Sequence, residues 1–339
     1  MKRIALAAAI AALLAGSHVM FGQERMDPFF DRADSGERIH VLPPPAAIRV
    51  PHDWMPTFAP ASNGLAVYGA SYGSGNLVNH GGLEIPNAGF WAIYWNSSVA
   101  GSTATSDGKT LQAEIDAFVT SFADNANWDG STTDDYEIVQ QYGTNAGTPI
   151  SNTLADWGAF VDSQPTQRSI SDSGVRNYLA NLFNAGKIAP RNDVIYGVYF
   201  PSGMRVTLSG GGSCTSFCGY HSHFAFAGLQ IKYAVFPYLN CTACKLSTLT
   251  VGDMLTIVAS HEIREAVTDP GDNNVNAWYD AAGYEADDKC AWHNLYRMTK
   301  GGFWVQPEFS NGGTVTASGF TATYPWISPG VGGCVVPNR

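Results

Sequence analysis

Residues 253–270 read DMLTIVASHEIREAVTDP. At 100° per residue, Met254, Ile257, Val258, His261 and Glu265 fall on one side of a helix. Leu255, Ala259, Ile263 and Val267 make the far side apolar as well, which is the pattern of a helix packed inside a protein. Thr250 and Asp253 form a capping-box pattern with Asp in place of Glu, and Pro270 ends the helix. Two polar side chains therefore continue a buried stripe. A carboxylate in such a place is costly unless it is paired or bound to a metal. Glu262, Glu265 and Asp269 also lie toward the negative end of the helix dipole. Arg264, an immediate neighbour, faces elsewhere.

A divalent cation on His261 and Glu265 would offset both penalties, because four-residue spacing lets both reach one ion. Glu262 lies between them, where H-E-x-x-H hydrolases carry the base that deprotonates a water. Here the motif is H-E-x-x-E. The Glu donor leaves zinc the first expectation, with Mn2+ or Fe2+ as alternates. The third ligand is expected in GYEADDKC, residues 283–290: Glu285 first, Asp288 second, with Asp269 third.

Working outward, helices and strands alternate. GFWAIYW (89–95), YEIVQQYG (136–143), DVIYGVYFP (193–201) and SHFAFAGLQIKYAVFP (222–237) read as strands, the last two flanking the first cysteine pair. Leu111, Ile115, Phe118, Val119 and Phe122 mark an amphipathic helix, and residues 171–186 a second, capped by Ser171 or Ser173 and stopped at Gly186. Trp91 and Trp95 read as core. The expectation is a single α/β domain over 63–339, with a mixed sheet, a metal-bearing helix and disulfide-stapled loops. The order of elements is zincin-like, a fold-level analogy.

The N-terminus bounds where the protein works. Lys2 and Arg3 precede a dozen apolar residues and then Ala15, Gly16 and Ser17, the pattern of a signal peptide over 1–22. The run is too short for the ~20 residues of a spanning helix. Residues 23–62 include RIHVLPPPAAIRVPHDWMPTFAP, a proline-rich stretch read as an irregular lead-in or pro-segment. A secreted protein, extracellular or periplasmic, follows. In an oxidising compartment its six cysteines read as disulfides. Local pairs, Cys214 with Cys218 and Cys241 with Cys244, are favoured, leaving Cys290 for Cys334; a zinc knuckle on the first four is the rival. With 45% hydrophobic and 14% charged residues the chain can bury a large core, and a net charge of −10 argues against nucleic acid as a partner.

HGGLEIPNAGFWAIYW (80–95), CTSFCGYHSHFAF (214–226), ASHEIREAVTDP (259–270), NAWYDAAGYEADDKC (276–290), VQPEFSN (305–311) and GGC (332–334) together resemble the phosphate-induced protein/EXORDIUM family and its bacterial relatives. Plant members are secreted and linked to growth, and their helix segment often lacks the His and Glu, so the resemblance implies export. Bacterial relatives carry elements that match His261, Glu262, Glu265, Thr268, Asp269, Pro270, Trp278, Glu285, Asp288 and Cys290.

The expected activity is a metal-dependent hydrolase, a peptidase first, with a peptide or protein substrate and no membrane partner after signal cleavage. His221, in CGYHSHF, is expected to donate to the transition-state oxyanion; His223, His293 and Tyr284 are weaker candidates. A non-catalytic extracellular protein stapled by its metal is the alternative, and a metal-free binding module the third.

Overall fold

The computed structural model describes residues 27–48, 65–122, 135–144, 147–271, 275–317, 320–324, 327–328 and 330–337. The signal-peptide stretch lies outside them, as does part of the proline-rich stretch. The strands of the main sheet are β1 (Phe30–Arg32), β2 (Arg38–Leu42), β3 (Gly89–Tyr94), β4 (Asp156–Val161), β5 (Val194–Tyr199), β6 (Gly219–Phe226) and β7 (Leu229–Phe236). The main helices are α1 (Leu111–Phe122), α2 (Asp172–Asn184) and α3 (Val251–Thr268).

Seven strands form the sheet in the order β1-β2-β6-β7-β5-β3-β4. β4, β3, β5 and β7 run parallel to one another, while β6 is antiparallel to β7 and to β2, and β2 to β1. The fold is thus mixed α/β. β3 and β5 lie inside the sheet and read as continuous apolar runs, as parallel strands covered on both faces do. Ser171 caps α2, accepting from the Gly174 N–H at 3.2 Å. Among the described residues no helix is long and apolar enough to cross a membrane.

Helix α3 forms as its sequence predicts. The Thr250–Asp253 capping box closes in both directions, and the helix ends at Asp269. Every one of its residues is buried. It packs on β6 and β7, on α1 and on the strand Trp304–Val305. Its Met, Leu, Ile and Val side chains, each worth about 1.5–3 kcal/mol when removed from water, hold it in the core. That apolar packing carries the polar cluster inside with it.

Three expectations are corrected. Residues 136–143 form no strand: Glu137–Gln141 is a 3-10 turn, its Ile138 and Val139 buried. A run this short has no period to separate the two. The proline-rich stretch is not wholly irregular, since β1 and β2 lie in it and β2 joins the central sheet. RIHVL buries four of its five residues, and the run of prolines at 43–45 comes only after it. Third, the disulfides are Cys214–Cys241 and Cys218–Cys244, not local pairs; Cys290–Cys334 forms as expected. Cys214 and Cys218 precede β6 and Cys241 and Cys244 follow β7, so both bonds run across the mouth of the β6–β7 hairpin. With all four bonded in pairs, the rival zinc knuckle has no free thiol.

β6 approaches α3 closely at Gly219. A Cβ there would stand 2.4 Å from Val258 Cγ1 and 2.8 Å from Glu262 Oε1. Gly219→Ala is therefore expected to destabilise the fold by about 1–3 kcal/mol through overpacking, read as a lower denaturant midpoint. An unchanged midpoint would mean that β6 and α3 separate freely.

Candidate metal centre

His261, Glu262 and Glu265 come from α3, His221 from β6, His40 from β2, and Glu285 and Asp288 from the segment before Cys290. Asp269 caps the end of α3. All are buried; His261, Glu262, Glu265, Glu285 and Asp288 are at most 1% exposed. Pro270 and the Cys290–Cys334 bond help return the acidic segment to the helix, where the Asp288 N–H donates to Glu265 Oε1 at 2.8 Å.

Among the described residues, and leaving aside the disulfide-bonded Cys214, Cys241 and Cys244, two three-residue groups could hold a metal ion, and both use Glu265. In His261–Glu265–Asp288 and in His221–Glu262–Glu265 the donor atoms lie within 4.8 Å of one another. His261 Nε2 is 2.8 Å from Glu265 Oε2 and 3.7 Å from Asp288 Oδ1. Neither oxygen has a hydrogen-bond partner, although both are buried. The short His261–Glu265 approach lacks hydrogen-bond alignment, an arrangement in which both atoms could serve one cation.

His221 supports the same reading. Its Nε2 lies 3.3 Å from the backbone carbonyl of Asp269. A carbonyl only accepts, so Nε2 carries the proton and Nδ1 offers a lone pair, as in a ligand oriented from behind. That lone pair faces Glu262 Oε2 at 3.3 Å and Glu265 Oε2 at 3.9 Å. Two acceptors so placed need a proton or a cation between them.

Arg264 does not serve the centre. Buried at 1% exposure, its guanidinium pairs with Asp287, lies 3.7 Å from Glu308 Oε2, and donates to the carbonyls of Asp135 and Gln306. Glu262, Glu265, Asp269, Glu285 and Asp288 are left without it. Burial pushes the carboxyls of Glu262 and Asp269 up to about 8 and Asp288 to about 7. Glu265 and Glu285 are held well above the carboxylate range by burial and then by neighbouring acids. Burial, then the nearby His261, lowers His221 to about 4. His40 is lowered well below its ordinary value by burial and then by His221.

The sequence-read residues are thus brought together, with the acidic segment arranged in its own way. Asp288 joins His261 and Glu265. Glu285 stands instead between His40 Nδ1, 3.0 Å from Oε1, and His221 Nε2, 3.6 Å from Oε2. Of the weaker candidates, His293 meets the Tyr72 hydroxyl at 3.2 Å and Tyr284 donates to Asp27. His223 lies 3.6 Å from Glu37. Sequence reasoning missed His40 and the Arg264–Asp287 pair. His40 could have been noticed as a polar residue in the apolar run RIHVL.

A cleft of about 520 Å³ opens over the centre, lined among others by Arg38, His40, His221, His223, Asp269 and Glu285. Compared with known family models, curated proteins and solved structures, the chain matches none.

The acids fix a pH dependence for the metal-free protein. Glu262 and Asp269 retain protons in the fold up to about pH 8, whereas unfolded carboxyls lose them near 4.5 and 3.8. Stability therefore falls as pH rises through that interval, by about 1.4 kcal/mol per pH unit for each retained proton. The lowered histidines act in the opposite sense, but only below their unfolded value of 6.5. Between about pH 6.5 and 8 the melting temperature of chelator-treated protein should fall, and zinc should remove the fall. A rising curve in calorimetry would mean that the acids are already compensated.

Proposed function

We propose that the protein is an exported, zinc-dependent hydrolase, a peptidase, with a zincin-like arrangement of metal helix and sheet. One observation carries the reading: Glu262 is in contact with His221 immediately beside the His261–Glu265–Asp288 group, and His221 lines the open cleft. His261, Glu265 and Asp288 would hold the ion. A bound zinc ion supplies Lewis acidity toward a carbonyl oxygen and eases the ionisation of water.

The chain's own groups supply the proton chemistry. Glu262 Oε2 faces the His221 Nδ1 lone pair at 3.3 Å, so Oε2 is the oxygen on which a proton taken up by Glu262 would be held, donated to Nδ1. Burial holds the Glu262 carboxyl up at about 8 in the metal-free protein; an adjacent cation would lower it, leaving a carboxylate able to accept a proton near neutral pH. His221 Nδ1, 3.3 Å from Oε2, holds Glu262 in place and offers a route for the proton toward the cleft. The balance of acids and cations in the centre suits a neutral, polarisable group such as a peptide carbonyl better than an anionic phosphoester. Three disulfides agree with an oxidising compartment; that agreement, the signal-like N-terminus and the EXORDIUM-like segments support export.

A second reading has one observation in its favour. His261, Glu265 and Asp288 do not themselves line the cleft, as suits an ion that staples α3 to the acidic segment without catalysis.

Glu262→Gln separates the two. In the hydrolase it should keep one equivalent of zinc by elemental analysis and lose about 10²–10⁴-fold in cleavage of a mixed peptide pool. Wild-type protein without stoichiometric metal, or a variant as active as wild type, defeats the hydrolase reading. For the staple, Glu262→Gln is harmless while His261→Ala loses the metal and melts several degrees lower.

A further inference from the structure

Strand β2 parts from the sheet where the centre begins. Its ladder to β6 has two pairs, Leu42 with Gly219 and Val41 with Tyr220. His40 and His221 come next on the two strands, at the fork, and both line the cleft. Glu285 spans that fork. Its Oε1 lies 3.0 Å from His40 Nδ1 and its Oε2 3.6 Å from His221 Nε2.

Asp288 is divided in a similar way. Its Oδ2 lies 3.4 Å from His40 Nδ1 and accepts from the Glu285 N–H at 3.3 Å. Its Oδ1 is left buried, without a hydrogen bond, 3.7 Å from His261 Nε2. The His40 ring is itself held: Phe30 packs edge-on against it, with centroids 4.6 Å apart, and its exposure is 8%.

We infer that His40 is a positioning residue of the metal centre: its Nδ1–H, by holding Glu285 Oε1 and Asp288 Oδ2, turns Asp288 Oδ1 toward His261 and Glu285 Oε2 toward His221. The inference rests on the metal reading proposed above and adds a part of the chain to it. Partners of this kind orient carboxylate ligands as they do histidine ligands, and their loss weakens metal binding about 10–100-fold. It follows that β2 belongs to the working protein. A pro-segment whose removal took residues 38–42 would remove the group that sets the acidic segment.

The test compares His40→Phe with His40→Asn in the full-length exported protein. Phe keeps a ring for Phe30 to pack against and removes the N–H. Asn places an amide N–H close to where Nδ1–H stands. Zinc(II) alone is titrated against a chromophoric chelator, and cobalt(II) is substituted so that its visible spectrum reports the coordination. His40→Phe should bind zinc about 10–100-fold more weakly with an altered cobalt spectrum, and His40→Asn should lie close to wild type in both. His40→Phe binding as tightly as wild type overturns the inference and leaves the metal reading standing. His40→Asn no better than His40→Phe also overturns it, because packing alone would then explain the loss. Should near-UV circular dichroism find His40→Phe unfolded, His40→Gln replaces it, its amide reaching past the Nδ1 position; affinity equal to that of the Asn variant overturns the inference. A wild-type protein that binds no zinc overturns both this and the reading beneath it.

Discussion

The interior of this protein holds more negative charge than its own cations can balance. Arg264, fully buried, is committed to Asp287 and stands close to Glu308; Lys289, also buried, is committed to Asp280 at 2.6 Å. Glu262, Glu265, Asp269, Glu285 and Asp288 gather around His40, His221 and His261, and burial lowers the first two of these rings below the ordinary histidine value. Removing ionised carboxylates from water is prohibitive without partners. The chain can answer by keeping protons on the acids or by admitting a cation. The hydrolase reading takes the second course, since the atoms around Glu265 face one another without the alignment a shared proton would impose.

That charge is kept in place by apolar packing and covalent ties. α3 is buried along its whole length because it is apolar on every side, so His261, Glu262 and Glu265 cannot swing out into solvent. The two bonds at the mouth of the β6–β7 hairpin fix the start of β6, three residues before His221. Cys290–Cys334 ties the acidic segment to a small sheet formed by Ala66–Tyr68, Glu308–Ser310 and Gly333–Val336. Each tie sits within a few residues of a group in the centre. None of the polar contacts in the centre needs to be strong by itself, because the surrounding core and the disulfides oppose the loop motions that would release them.

What could be read from the sequence follows from this. α3, its cap and its stop were legible because they depend on neighbours within four residues: Thr250 with Asp253, and Pro270 after Asp269. The conflict between its polar pair and its apolar stripe was legible for the same reason. The acidic segment was legible as composition, but the roles of Glu285 and Asp288 were not, because those roles depend on where β2 brings His40. A residue 248 positions away in the chain leaves no local trace. The disulfides were misread for a related reason. Proximity in sequence suggested Cys214 with Cys218, whereas the hairpin brings the segment before β6 beside the segment after β7, a juxtaposition that neither segment shows alone. The turn 136–143 failed at the opposite extreme, with a pattern too short to be informative.

The acid at position 265, where a second histidine is the commoner donor of such helices, follows from the same geometry. Glu265 does two things at once: Oε1 accepts the Asp288 N–H at 2.8 Å, and Oε2 faces His261 at 2.8 Å and His221 at 3.9 Å. A neutral imidazole has one lone pair, so it could present a donor to an ion or accept from the Asp288 backbone, but not both. With histidine at 265, the acidic segment would lose its one backbone anchor on the helix. The carboxylate therefore couples the position of Asp288 to the same side chain that serves both three-residue groups. It also makes the donor set harder and more anionic than one of histidines alone, which under the metal reading proposed above would admit manganese or iron beside zinc. The identity of residue 265 is better explained by the loop it must hold than by the ion it would bind.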